Sequence, residues 1–76
     1  MLTEFERECI EFFVQVVRVI GVQKSIGQIY GLIFASKVPL AFTDIVNRLK
    51  ISKGSVSQGL QFLRSIGAVK AVGEKL

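Results

Sequence analysis

Residues 3–20 constrain this chain more than any other stretch. Thr3 followed by Glu6 has the spacing of a capping box, and Gly21 is a natural stop, so the segment predicts a helix. At about 100° per residue, Glu4, Glu8, Glu11, Gln15 and Arg18 fall on one narrow stripe, with Arg7 at its edge. Phe5, Cys9, Ile10, Phe12, Phe13, Val14, Val16, Val17, Val19 and Ile20 fill the rest. Their arc is roughly 200° wide, about twice what one core-facing side requires. Such a helix has two apolar faces to cover. One packs on its own domain and the other on a second copy.

The composition agrees with an apolar surface that needs covering. The chain has 76 residues, enough for one small domain, 1–76, and half of them are hydrophobic while 21% are charged. A charge-solvated disordered tail is excluded. There is no His and a single Cys, Cys9. A Cys/His zinc site, His-based acid–base chemistry and a disulfide framework within one chain are therefore excluded, and the expected cofactors and metals are none. Neither a carboxylate pair nor an activated nucleophile emerges, so no enzyme is expected. Lys53-Gly54-Ser55 lacks the glycine-rich lead-in of a phosphate loop. The apolar stretches Phe12–Val22 and Ile26–Ala35 are short and broken by Gln15, Arg18 and Gln28, so no membrane span is expected. Four glutamates near the start replace the basic opening of a secretory signal. With one thiol, a buried structural one, this predicts a cytoplasmic protein.

Beyond Gly21, Ser25 with Gln28 repeats the capping spacing and predicts a second helix to about Ser36. Ile26, Ile29, Tyr30, Leu32, Ile33 and Phe34 make it apolar nearly all round, the mark of a central helix. Gly27, Gly31 and Ala35 form a smooth stripe for close helix packing. Pro39 ends this region, and Leu40-Ala41-Phe42 is a connector or a brief edge strand. Thr43 caps a short helix to about Leu49, with Ile45, Val46 and Leu49 as its apolar contacts. Lys50-Ile51 is a tight turn, Ser52 caps a helix to about Ile66, and Gly67 closes it. Ala68 to Val72 has β character, with a turn at Gly73-Glu74-Lys75.

A short helix, a tight turn and a longer helix over 43–66 make a helix-turn-helix, whose second helix enters the DNA major groove in proteins that use it so. Charge follows the same division. Residues 1–20 carry two Arg against four Glu, whereas residues 44–76 carry six Lys and Arg against Asp44 and Glu74. The net charge of +4 thus resides in the C-terminal half, as a polyanion partner would require. On the later helix, Val56, Leu60 and Leu63 should face the core. Lys53, Gly54, Ser57, Gln58, Gln61, Arg64 and Ser65 lie opposite, without an acid among them. Gln pairs with adenine and Ser with base edges, while Lys and Arg hold phosphates.

Pro39-Leu40-Ala41-Phe42-Thr43-Asp44-Ile45-Val46-Asn47-Arg48-Leu49, then Ile51-Ser52-Lys53-Gly54-Ser55-Val56-Ser57-Gln58-Gly59-Leu60, Leu63 and Gly67-Ala68-Val69, resemble the winged helix-turn-helix of MarR-type transcriptional regulators. Ser25-Ile26-Gly27-Gln28-Ile29-Tyr30-Gly31-Leu32 brings the likeness closer to the GbsR-like branch. The resemblance covers roughly residues 20–72. It implies a mostly α (α+β) winged helix-turn-helix, with Ser52 to Arg64 as recognition helix. It further implies a homodimer on pseudo-palindromic double-stranded DNA, acting as a repressor whose affinity a small-molecule effector changes. Members of that family are longer and carry a basic β-hairpin wing and further dimer helices. Here the sequence ends at Leu76, so the expectation is either a DNA-binding fragment of a longer regulator or a minimal protein, with a truncated or minimal wing over 68–76 and an N-terminal dimerisation helix over 3–20.

The expected DNA-binding residues are Lys53, Ser55, Ser57, Gln58, Gln61, Arg64 and Lys70, with Lys50 as a further phosphate contact. The expected dimer interface is Phe5, Cys9, Phe12, Phe13, Val16, Val17 and Ile20. Tyr30 is expected to be a packed aromatic, with lining of an effector cavity as the alternative, Gly59 to allow a close helix crossing, and Phe62 to pack under the wing or join an interface. The competing expectation is a winged-helix protein–protein interaction module without DNA binding. The acid-free basic face argues against it.

Overall fold

The computed structural model describes residues 2–69. Among the described residues there are four helices: α1 (Glu4–Ile20), α2 (Lys24–Ala35), α3 (Phe42–Leu49) and α4 (Lys53–Ser65). The capping box at the start of α1 is complete. Thr3 Oγ1 accepts from the Glu6 N–H at 3.1 Å, and Glu6 Oε1 accepts from the Thr3 N–H at 2.9 Å. Gly21, at φ 92°, ends the helix, and the N–H groups of Gly21 and Val22 both donate to the Val17 carbonyl.

Helix α2 is the hub and alone packs against each of the other three. Ile29 and Leu32 are completely buried on it, as is Val56 on α4. Ile10, Val14, Ile26, Ile45 and Leu63 complete the core. Each fully buried side chain of this size contributes roughly 1.5–3 kcal/mol. The glycine stripe of α2 lies flush against α1. A Cβ on Gly31 would stand 2.6 Å from Ile10 Cα, and one on Gly27 would stand 2.7 Å from the Phe13 carbonyl oxygen. The earlier glycine meets the later part of α1, so the two helices run antiparallel. Gly59 performs the same service between α4 and α2, where a Cβ would stand 2.5 Å from Ile29 Cδ1.

Two helix starts differ from the capping pattern. Helix α2 begins at Lys24 with Gln23 as cap, so Ser25 lies inside the helix. The α1 stop consumes only Gly21 and Val22, and the next turn begins at once. Helix α3 begins at Phe42, and Ala41 occupies the cap in place of Thr43. Asp44 reaches back to accept from the Ala41 N–H at 3.1 Å, which supplies the carboxylate half of a capping box.

The winged α+β class is overturned. Among the described residues there is no strand, and the class is all-α, with 74% of them helical. Backbone hydrogen bonding explains why. Over Leu40-Ala41-Phe42, where a brief edge strand is one expectation, Ala41 commits its backbone to α3: its N–H donates to Asp44, its carbonyl accepts from the Ile45 N–H at 3.2 Å, and Phe42 is already helical. Pro39 has no N–H to offer a ladder. At the other end, the Ala68 N–H donates to the Leu63 carbonyl at 2.9 Å, so Ala68 closes α4 where a wing would begin. The remainder of the expected wing, 70–76, lies outside the described residues. No helix among the described residues is long and apolar enough to cross a membrane.

Candidate nucleic-acid interface

Helix α4 is positioned from both ends. At its start, Lys50 takes a left-handed conformation (φ 57°) as the turn from α3, and its N–H donates to the Val46 carbonyl. Ser52 then caps α4, its hydroxyl oxygen accepting from the Ser55 N–H at 3.1 Å. Along its length, Val56, Gly59 and Leu63 bury one side against α2. The opposite side is left to solvent for that reason: Lys53, Ser57, Gln58, Gln61 and Arg64 are all exposed. Lys53, Ser57, Gln61 and Arg64 form one row down the helix, roughly 16 Å long at 1.5 Å per residue. A cation stands at each end of the row, with hydrogen-bonding groups between. Neither Ser57, Gln58 nor Gln61 spends its side chain on a hydrogen bond to the described residues.

Two expected contacts fare differently. Ser55 is half-buried, and its hydroxyl accepts from Ser52 Oγ at 3.0 Å, so it serves the cap. Lys70 lies outside the described residues. Ser65 turns back, its hydroxyl donating to the Phe62 carbonyl at 2.7 Å. Arg64 also rims an open groove of about 610 Å³, walled by Val38, Leu40, Phe42 and Leu60. The turn residue Lys50 is exposed beside the start of the row.

The expected dimer residues divide. Phe5, Phe12 and Ile20 are at least 60% exposed, and Cys9 and Val16 are half-buried. Phe13 and Val17 turn to α2: the Phe13 ring meets Tyr30 edge-on at 4.8 Å and Phe34 at 5.3 Å, and Val17 abuts Gly27. Val19, left off the interface residues, is 88% exposed. Tyr30 is thus a packed aromatic, and Phe62 is partly exposed beside the polar row.

One contact is absent from the sequence-level expectation. Arg48 Nη1 on α3 donates to Glu6 Oε2 at 3.2 Å, joining α1 to α3. Glu6 is 9% exposed, and its two oxygens serve the α1 cap and this bridge. A signal for it exists in the chain. Glu6 lies apart from the Glu4, Glu8 and Glu11 stripe, within the apolar arc, and a carboxylate placed there demands a cation.

Compared with protein-family models and with curated protein sequences, the chain matches none.

Proposed function

We propose that this protein is a sequence-specific DNA-binding transcriptional regulator, working in the cytoplasm as a homodimer, with α4 as the element that enters the major groove. The observation that carries the reading is the outward row of α4: exposed, free of acids, cationic at both ends, and with uncommitted Ser57, Gln58 and Gln61 for base edges. Lys53, Arg64 and Lys50 hold phosphates. Repression and control by a small-molecule effector follow from the likeness to MarR-type, GbsR-like regulators alone.

The test is fluorescence anisotropy on duplex DNA over a salt series. Three phosphate contacts per copy make six in a dimer, and the affinity should fall on the order of 10³-fold between 50 and 200 mM salt. Lys53→Ala should weaken binding to every sequence about equally and shallow the salt slope. Gln58→Ala should relax sequence preference at one position. Binding that neither substitution changes, or no binding at low salt, overturns the proposal in favour of a module that binds protein alone.

A further inference from the structure

The groove beside α4 and the polar row of α4 share one residue. The groove holds about 610 Å³, within the range of roughly 300–1,000 Å³ that small-molecule sites occupy. Ile45, which is 2% exposed, lines it from α3, and the half-buried Ile33 and Leu60 line it from α2 and α4. The connector closes it with the half-buried Leu40 and the exposed Val38. Among the described residues, Arg64 is the only charged or polar side chain in this lining. Such a wall favours an apolar body, and its single cation selects the sign of the charge that body carries.

Helix geometry places Arg64 on the border of both features. At about 100° per residue it lies between Leu60, about 40° to one side, and Ser57, about 20° to the other. Its stem can therefore follow the groove while its head serves either the groove or the row. Among the described residues its guanidinium makes no ion pair and no hydrogen bond. No acid lines the groove. Asp44, in the first turn of α3, stands outside it, and its carboxylate accepts from the Ala41 N–H. A guanidinium fork matches a carboxylate through two parallel hydrogen bonds. One cation matches one negative charge, which favours a monocarboxylate over a doubly charged phosphate.

We propose that this groove is the site of a small apolar monocarboxylate, aromatic or branched aliphatic, whose carboxylate Arg64 holds. The inference rests on the regulator reading and gives its effector a place and a chemical class. With its fork occupied and its charge neutralised, Arg64 no longer holds a DNA phosphate. Ligand and DNA thus compete for one side chain, and no conformational change has to carry the signal. By linkage, DNA weakens the ligand by the same factor as the ligand weakens DNA.

Naphthoate is the probe, with its uncharged amide, naphthamide, as control. Titrated without DNA into the full, isotope-labelled chain, naphthoate should move the backbone amide signals of Ile33, Leu40, Leu60 and Val69 in NMR spectra. It should saturate with a Kd on the order of 10⁻⁴ M, as a fragment-sized ligand in an open groove allows. Naphthamide should bind about 10-fold more weakly, the difference a charge-assisted pair makes. Arg64→Gln, at an exposed position, should keep the helical content and erase that difference. On duplex DNA, saturating naphthoate should lower affinity on the order of 10-fold and shallow the salt slope by about 1 per copy, and should do neither in Arg64→Gln. Groove signals unmoved at about 5 mM, tens of times the expected constant, overturn the proposal, as when residues 70–76 of the same chain fill the groove. Equal binding of acid and amide overturns it too, as does a DNA affinity that bound naphthoate leaves unchanged. Naphthoate binding of the expected kind by a chain that ignores DNA supports the site and removes the regulator reading. DNA binding by a chain that ignores naphthoate does the reverse.

Discussion

Alanine at Gly31 should destabilise the protein, although helix propensity alone says the opposite. In an exposed helix the change gains up to about 1 kcal/mol. At Gly31 the new methyl group would stand 2.6 Å from Ile10 Cα, 2.8 Å from the Cys9 carbonyl oxygen and 2.9 Å from Ile10 N. All three are backbone atoms, so no rotamer change relieves the overlap. The helices must separate by nearly an ångström, on the order of what restores an ordinary carbon contact of about 3.5 Å. That loosens Ile10 and Val14 against the α2 core. Overpacking of this kind costs about 1–3 kcal/mol, and its backbone origin places it at the upper end, for a net loss of about 1–2 kcal/mol. A domain of this size loses about 4–8 °C of Tm per kcal/mol, which predicts a fall of roughly 4–16 °C by calorimetry or circular dichroism. Gly54→Ala is the matched control. Its new methyl group would meet only Ser52 Oγ at 3.9 Å, so Tm should stay level or rise by a few degrees, as a gain of up to about 1 kcal/mol implies. A Gly31→Ala protein as stable as wild type would refute the close α1–α2 approach.

The bridge between Glu6 and Arg48 should show in a double-mutant cycle. Glu6→Ala strips the carboxylate half of the α1 capping box and the ion pair, leaving the Thr3 hydroxyl on the backbone N–H of position 6, and should cost about 1–2 kcal/mol, whereas coupling to Arg48→Ala should be only about 0.5–1 kcal/mol, because Arg48 is partly solvated. Zero coupling in urea melts would show the contact to be idle. Lys50→Gly relieves a left-handed conformation and should add about 0.5–1 kcal/mol after the entropy of glycine in the unfolded chain is discounted. An unchanged midpoint would show that the turn is unstrained. In DNA binding, the same Lys50→Gly variant should lose affinity uniformly across sequences and reduce the salt slope by about 1 per copy, as removal of one phosphate contact does.

Local chemistry carries much of this fold in plain view. The Thr3 and Glu6 capping box, the Gly21 stop, the Ser52 cap and the four helical segments are legible because each depends on residues within one or two turns. The two apolar sides of α1 are legible for the same reason, since helix periodicity converts spacing directly into direction. The polar row of α4 follows from Val56 and Leu63 taking the buried side as their spacing indicates, although Gly59 is buried beside them and the expected Leu60 only partly so. Capping residues are less reliable guides where a neighbour competes, as Gln23 and Ala41 show by displacing Ser25 and Thr43.

Other features depend on which surfaces meet. β-branched residues near Ala68 and Val69 suit a strand, but a strand requires a partner with free backbone groups. Ala41 has spent its own on the start of α3, and Pro39 has none to donate. The division of the α1 arc is likewise a packing outcome. Phe13 and Val17 are as apolar as Phe12 and Val16, and only the position of α2, admitted to contact distance by Gly27 and Gly31, separates inner from outer. Glu6 and Arg48 are 42 positions apart, so their pairing exists only once α2 has brought α1 and α3 to the same end of the molecule. Short-range periodicity and capping are written in consecutive residues, whereas burial and long-range pairing are properties of the assembled chain.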